Sequence, residues 1–162
     1  MLYGMNTREL SNSLTALFSE LVDGAPQFGY MLNAGDPGLL RSLDRLSASA
    51  ASNKIAAHVD HVRYGLSLMN RWASGESNPF ATADWTAAWR TTHVSDTEWA
   101  DLRGQLRDEA HRWLVALGTP REVDDVALNG LIGSIAHLAY HLGAIRQIDR
   151  ATHGPAEPVL EK

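Results

Sequence analysis

Four long segments repeat their apolar residues with the period of an α-helix, and this pattern constrains the fold more than any other feature of the chain. Their predicted bounds are residues 6–22, 53–73, 95–117 and 126–150. Apolar positions recur at three- and four-residue spacing in each segment, which places them on one face of a helix. No window sustains the alternation of apolar and polar residues typical of a half-buried strand, so we expect essentially no β-sheet.

The apolar faces predict how these helices associate. A helix with one apolar stripe must bury it against another element, and four such helices satisfy one another as a four-helix bundle. Residues 37–46 follow a turn containing Asp36 and Pro37, and they predict a short extra helix between the first and second long helices. The serine- and alanine-rich residues 47–52 fit either a loop or a small-residue helix contact. We therefore expect an all-α fold.

Length and composition indicate one ordinary domain. A chain of 162 residues is long enough to bury a single core without disulfides or a structural metal. We expect residues 1–162 to form one domain, with its core in about residues 6–150 and a C-terminal tail at residues 151–162. Hydrophobic residues make up 44% of the chain, yet no apolar run approaches the roughly 18 residues needed to span a bilayer, so no membrane segment is expected.

Charge and cysteine content exclude several classes of function. The net charge is -5 and the 14 basic residues are scattered, which disfavours binding to nucleic acid. The absence of cysteine excludes disulfide scaffolds, cysteine-ligated zinc sites and a cysteine nucleophile. No basic patch followed by an apolar core opens the chain, so we expect no secretory signal and a cytoplasmic location.

Two histidines lie four residues apart in the fourth predicted long helix. At about 100° per residue, His137 and His141 fall beside the main apolar stripe, on a strip whose other members include Gly130 and Ser134. Side chains at i and i+4 project over the same turn, so the pair can grip one divalent cation. The small neighbours leave space beside the two imidazoles.

The second long helix offers a third ligand. His58 lies close to the apolar stripe of that helix and can point toward His137 and His141 if the second and fourth helices are neighbours. His61 is an alternative or a supplement to His58. Three neutral imidazoles leave coordination positions open, which is typical of a catalytic metal site more than of a closed structural one. We therefore predict a metal site at His58, His137 and His141, with His61 as the alternative.

Plainer interpretations stand beside this hypothesis. Amphipathic helices tolerate histidine at the edge of an apolar stripe, so the spacing can also be incidental. His93, His111 and His153 have no partner at ligand spacing, so they are interpreted as surface or capping residues. Asp60 points away from the apolar stripe of the second long helix and is interpreted as solvated. The long connection at residues 74–94 carries Phe80, Trp85 and Trp89, which either anchor it on the helices or contact a ligand; the sequence favours anchoring.

The histidine segments resemble a known family. The stretches "IAAHVDHVRYGLSLMNRW" and "GSIAHLAYHLGAIRQI", with the helix order and length, are similar to the DinB/YfiT-like superfamily of metal-binding four-helix bundles. The resemblance spans about residues 6–150, and its most specific part is the pattern His-x-x-Tyr-His-x-Gly. It implies that His58, His137 and His141 bind a divalent metal, often zinc or nickel, in a protein that commonly forms a homodimer.

The resemblance also implies a class of chemistry. Its better-characterised members include transferases and isomerases that use low-molecular-weight thiols. The resemblance therefore implies a metal-dependent enzyme that activates a thiol or water, while a non-catalytic metal-binding or dimeric interaction bundle is the alternative. Many members carry glutamine directly after the glycine of His-x-Gly, whereas Gly143 is followed here by Ala144. A polar group expected near the metal is therefore absent from that position, and the catalytic residues and substrate stay undefined.

Overall fold

The computed structural model describes residues 7–156 and shows an all-helical chain. Its helices are α1 (Thr7–Asp23), α2 (Gly38–Leu43), α3 (Ala48–Ala51), α4 (Ile55–Ala73), α5 (Asp96–Gly118) and α6 (Asp125–Ile148). Single 3-10 turns lie at Ala87–Arg90 and Arg150–Thr152. Residues 7–156 contain no strand, so the all-α prediction is confirmed for this part of the chain.

Local capping chemistry defines the helix ends. Ser95 accepts a hydrogen bond from the backbone N–H of Glu98, and the Glu98 carboxylate accepts one from the N–H of Ser95, so a capping box begins α5. Asp124 begins α6 by accepting from the backbone N–H of Ala127 at 2.8 Å. Gly24 ends α1 with a φ of 97°, where a Cβ would lie 2.2 Å from the carbonyl oxygen of Asp36. Only glycine fits that position without moving the chain.

The four long helices surround one core. Helix α1 contacts α5 and α6, and α4 also contacts α5 and α6. The neighbouring position of α4 and α6, on which the predicted metal site depends, is therefore present. The largest fully buried side chains come from every long helix and from α2: Trp113, Phe18, Leu21, Leu39, Leu43, Ile55, Leu68, Leu106, Leu138 and Ile145.

Buried polar groups fix the connections to this core. The carboxylate of Glu20 is buried and accepts hydrogen bonds from the backbone N–H groups of Tyr30, Met31 and Leu32 at 2.9, 2.6 and 2.6 Å. Asp36 is also buried, and its Oδ1 lies 2.7 Å from a guanidinium nitrogen of Arg146 on α6. These contacts hold the α1–α2 connection against α1 and the end of α6, because each buried oxygen needs its donors.

The boundaries differ from the predicted ones in a few places. Helix α4 begins at Ile55 instead of residue 53, because Lys54 adopts a left-handed conformation with a φ of 71°. Part of the ambiguous run at residues 47–52 is helical, as α3. Thr152 belongs to the predicted tail, yet it is fully buried. Asn6, the predicted first residue of the core, and residues 157–162 lie outside the described part of the chain.

Between residues 7 and 156, no helix combines the length and the apolar character that crossing a membrane requires.

Candidate metal centre

Four histidines from two neighbouring helices meet at one edge of the core. His58 and His61 come from α4, and His137 and His141 come from α6. The ring centroids of neighbouring pairs lie 4.5–5.1 Å apart, with His137 and His141 closest at 4.5 Å. Because α4 and α6 present buried apolar stripes to the same core, residues flanking those stripes are brought face to face.

Three of the four histidines direct nitrogen atoms toward a common point. The Nε2 atom of His137 lies 3.1 Å from Nε2 of His61 and 3.0 Å from Nε2 of His141. One ligand atom from each ring lies within 4.8 Å of the other two. Imidazole nitrogens on a tetrahedral zinc ion are about 3.3 Å apart, as follows from bonds of about 2.0–2.1 Å. His61, His137 and His141 therefore suit a divalent metal in donor type and spacing.

His58 contacts the other nitrogen of His141. The two Nδ1 atoms are 2.8 Å apart, a hydrogen-bond distance, and one of them must donate. The His141 ring directs Nε2 toward His137 and Nδ1 toward His58, so no single nitrogen of His141 faces both of these histidines. A centre made of His58, His137 and His141 would require the His141 ring to reorient. The structure thus brings together all four predicted residues, and its geometry favours His61 as the α4 ligand.

The cluster holds its imidazoles in the neutral form that binds metals. Burial lowers the pKa of His141 to about 3, and the neighbouring charges of His137, His61 and His58 act in the same direction. Burial is also the largest cause of the lowered pKa values of His58, His61 and His137. A neutral imidazole keeps a lone pair on one nitrogen, so at neutral pH the cluster can offer ligand atoms without first losing protons.

His61 has an additional neighbour in the Trp85 main chain. The backbone of Trp85 and the charge of Asp60 oppose the effect of burial on the His61 pKa. Nδ1 of His61 is buried and has no partner of full hydrogen-bond geometry, so this backbone contact is weak. Nδ1 is the nitrogen opposite the convergent Nε2, and in a metal-bound histidine this position commonly donates to an outer partner.

Two tryptophans from the long connection cover the cluster. The Trp89 ring lies 4.9 Å from His58, 5.2 Å from His61 and 6.1 Å from His141, measured between centroids. The Trp85 ring lies 5.8 Å from His61. Both indoles remain about two-fifths exposed, so they form the boundary between the histidines and solvent. The sequence favoured anchoring of the connection on the helices, and the structure places Trp85 and Trp89 against histidines of α4 and α6.

A hydrogen bond and a ring contact position this cover. The backbone N–H of Asp84 donates to the Tyr64 hydroxyl of α4 at 3.2 Å, and the Tyr64 ring lies 5.8 Å from Trp85. The 3-10 turn Ala87–Arg90 also contacts α4. The apolar periodicity of α4 does not predict the placement of Trp85 and Trp89 over the histidines. That placement depends on the path of the long connection, which has no helical period.

The remaining candidate residues have other partners. Asp60 forms an ion pair with Arg63 at 2.7 Å, in keeping with its prediction as a non-ligand. His93, His111 and His153 contact Ser52, Asp23 and the carbonyl of Arg146, respectively. Tyr140 packs its ring edge against His141 but is 71% exposed. Gly65 on α4 borders His137 and Trp85.

No protein-family model, curated protein or solved structure matches this chain.

Proposed function

We propose that this chain is a divalent-metal-binding protein of the DinB/YfiT-like kind and a metal-dependent enzyme that activates a thiol or water. The observation that carries the proposal is the convergence of three histidine Nε2 atoms from α4 and α6. The order of four long helices, with short helices between the first two, supports the family assignment. Zinc and nickel are the proposed metals, since imidazole nitrogen suits both.

Each histidine has a distinct proposed role. His61, His137 and His141 hold the metal through Nε2. With Nε2 of His141 engaged, its Nδ1 carries the proton and donates to Nδ1 of His58. His58 therefore fixes the orientation and tautomer of a ligand, a role that outer hydrogen-bond partners commonly play at metal sites. Such a set leaves at least one metal position open for another molecule.

That open position determines the proposed chemistry. A divalent metal held by His61, His137 and His141 would lower the pKa of a thiol or water at its open position and so supply a nucleophile at neutral pH. The chain contains no cysteine, so a low-molecular-weight thiol cosubstrate would have to bring the sulfur. Trp85 and Trp89 limit the access of bulk water to the histidines, and a less hydrated site strengthens electrostatic interactions within it.

Matched glutamine variants test the ligand assignment. His61→Gln removes a ligand, whereas His58→Gln keeps an oxygen that can accept the proton of His141. In calorimetric titrations of metal-stripped protein with zinc, we expect His61→Gln to weaken binding more than about 100-fold and His58→Gln to weaken it by about tenfold or less. Equal losses in the two variants would contradict the assigned roles.

Cobalt substitution distinguishes a metal-dependent enzyme from a non-catalytic metal-binding protein. We expect 2-mercaptoethanol added to the Co²⁺-loaded protein to produce a sulfur-to-cobalt charge-transfer band, because the open position accepts a thiolate. A protein that binds Co²⁺ tightly without forming this band would favour the alternative of a non-catalytic metal-binding or interaction bundle.

A homodimer is the proposed assembly. Helix α6 exposes three large apolar side chains: Val126 is 80% exposed, Ile132 is 49% exposed and Tyr140 is 71% exposed. Apolar side chains on one outer helix favour contact with a second copy. Sedimentation equilibrium should give twice the chain mass, and Ile132→Glu should shift the protein toward monomer. A monomer at micromolar concentration would contradict the dimer.

A further inference from the structure

A cavity lies beside the histidine cluster, and His137 is the one proposed metal ligand among its lining residues. This side chamber has a volume of about 190 Å³ and lies between α4 and α6, under the long connection. Its walls include Gly65, Met69, Phe80, Trp85, Gly130 and His137. One metal ligand and one tryptophan of the aromatic cover therefore border the same space. A molecule bound in the side chamber would lie next to the candidate metal centre.

A second space adjoins the side chamber. This outer chamber of about 310 Å³ shares Met69, Phe80 and Gly130 with the side chamber and extends toward Glu122 and Asp124. The shared residues border both spaces. None of the four histidines is among the residues that line the outer chamber.

The chemistry of the walls selects an apolar occupant. No charged residue is among the described residues that line the side chamber, and most are aliphatic, aromatic or glycine. Ser134 also lines it, but its hydroxyl already accepts from Trp113 Nε1 at 3.0 Å and donates to the Leu131 carbonyl at 2.7 Å. Apart from His137, the walls thus present few free polar groups, and apolar contact supplies the binding energy.

The size of the side chamber fits one small ring. An apolar protein cavity of about 150 Å³ is large enough to bind benzene. The side chamber is slightly larger, at about 190 Å³, and Phe80 and Trp85 provide aromatic walls. Aromatic rings pack well against such walls in edge-to-face or offset arrangements.

Glycines in two helices create this space. A Cβ added at Gly65 would lie 3.6 Å from Cε1 of His137 and 3.7 Å from Cζ3 of Trp85, and one at Gly130 would lie 4.0 Å from the Met69 methyl group. Alanine would fit these positions sterically, and glycine inside a helix is less favourable than alanine. Helix stability therefore does not explain why glycine occupies positions 65 and 130. The open volume that glycine leaves in the side chamber explains it.

We propose that the side chamber binds a ring-sized apolar group of the substrate, whose reactive head is directed to the histidine cluster. This inference deepens the proposed function and rests on it for the position of the reactive head. The occupant is a small molecule that combines a benzene-sized hydrophobic group with a metal-binding or electrophilic group.

The first experiment tests the chamber without metal. Benzyl alcohol is titrated into chelator-treated protein labelled with ¹³C at the methionine methyl groups. Met69 lines both chambers, whereas Met31 is 42% exposed and lines neither of them, so it serves as an internal control. We expect a saturable ring-current shift of the Met69 methyl signal, with a Kd on the order of 1–10 mM, and no matching shift of Met31.

Two leucine substitutions provide the matched comparison. Gly130→Leu fills the chamber, while Gly104→Leu places the same side chain on α5 at a residue that lines neither chamber. Both replace a helical glycine and should retain the helical circular-dichroism spectrum. We expect Gly130→Leu to abolish the Met69 shift and Gly104→Leu to retain it. Binding in the side chamber would be refuted if the unmodified protein showed no saturable Met69 shift, or if the shift persisted in Gly130→Leu.

The second experiment connects the chamber to the metal. Acetohydroxamate and phenylacetohydroxamate share a metal-binding head, but only the latter carries a ring. On zinc-loaded protein we expect phenylacetohydroxamate to bind at least about tenfold tighter, and this ratio should fall toward one in Gly130→Leu. Equal affinities in the unmodified protein would overturn the proposal although the metal site stands. Failure to bind zinc would refute the proposed function instead. The benzyl alcohol titration, which uses metal-free protein, would still show whether the side chamber binds an apolar ring.

Discussion

The ring of His141 joins the two parts of the histidine cluster. Its Nε2 faces His137 and its Nδ1 faces His58, at 3.0 and 2.8 Å. The ring is only 3% exposed, so neither nitrogen can readily exchange its protein partner for water. A small rotation of this one side chain would change which histidines share a common point, and His141 therefore governs the ligand set.

The low pKa of His141 predicts acid sensitivity of the metal-free protein. In the unfolded chain the imidazole titrates near 6.5, whereas burial and the neighbouring histidines lower the native pKa to about 3. As pH falls below the unfolded value, the unfolded state binds a proton that the native state excludes, so stability is present above that value and is lost below it. Each excluded proton costs up to about 1.4 kcal/mol per pH unit.

Urea unfolding of chelator-treated protein at about pH 7.5 and about pH 5.5 measures this effect. We expect the free energy of unfolding to be lower at the acidic pH, and the difference to shrink in His141→Gln, which cannot titrate. Stability that stays constant or increases on acidification would contradict the assignment of neutral, buried histidines.

Glu20 offers a second test at the level of one residue. Its buried carboxylate accepts three backbone hydrogen bonds from the α1–α2 connection. Glu20→Ala leaves those donors without their acceptor, and we expect a loss of about 2–4 kcal/mol in the free energy of unfolding. The exposed Glu9→Ala on the same helix should change it by less than about 0.5 kcal/mol. Similar values for the two variants in urea unfolding would contradict the role of Glu20.

Among the elements, α5 shows how far local sequence signals reach. The pattern Ser95-Asp-Thr-Glu98 predicts a capping box, and both of its hydrogen bonds are present in the structure. Capping depends on residues within one turn, so the sequence contains all of the necessary information. The start of α4 is different, because the positive φ of Lys54 is not indicated by its side chain.

Removal of the α5 cap should have a measurable cost. Ser95→Ala deletes the oxygen that accepts from the Glu98 backbone N–H, and we expect a loss of about 1 kcal/mol in stability. Thr97→Ala, in the same exposed first turn, is the control and should change stability by less than about 0.5 kcal/mol. Thermal or urea unfolding of the pair provides the measurement, and equal stabilities would show that the cap contributes nothing.

The candidate ligands illustrate what a helical pattern leaves open. Periodicity placed His137 and His141 beside an apolar stripe, and the structure brings both to the α4–α6 contact. Periodicity favoured His58 over His61 as the third ligand, because His58 lies closer to the apolar stripe of its helix, whereas the geometry of the structure favours His61. That choice depends on the relative rotation of two packed helices and on the ring orientation of His141, which are tertiary properties.

For the molecule as a whole, apolar periodicity was sufficient to predict the all-α class and the four long helices. It was not sufficient for features that depend on distant contacts. Trp89 reaches the histidines only through the path of the long connection, and Thr152 is buried in a segment that reads as a polar tail. The side chamber likewise arises from glycines on two helices and an aromatic residue of the connection, which no single segment reveals.

Metal binding should stabilise the entire fold, because the ligands come from α4 and α6. A metal that binds only the native state raises stability by about 2.7 kcal/mol when its free concentration is 100 times the Kd. We expect zinc to raise the melting temperature of the unmodified protein by several degrees and to leave that of His61→Gln nearly unchanged. An equal rise in both proteins would indicate that zinc stabilises the fold elsewhere.

The central claim is that His61, His137 and His141 form a metal centre, and elemental analysis tests it most directly. The protein is purified without a histidine tag or added metal, and its content of zinc, nickel and other transition metals is measured before and after incubation with zinc followed by gel filtration. A metal centre at these histidines should retain about one metal ion per chain, and His137→Ala should lose this ion. Less than about a tenth of an ion per chain, both before and after zinc addition, would contradict it.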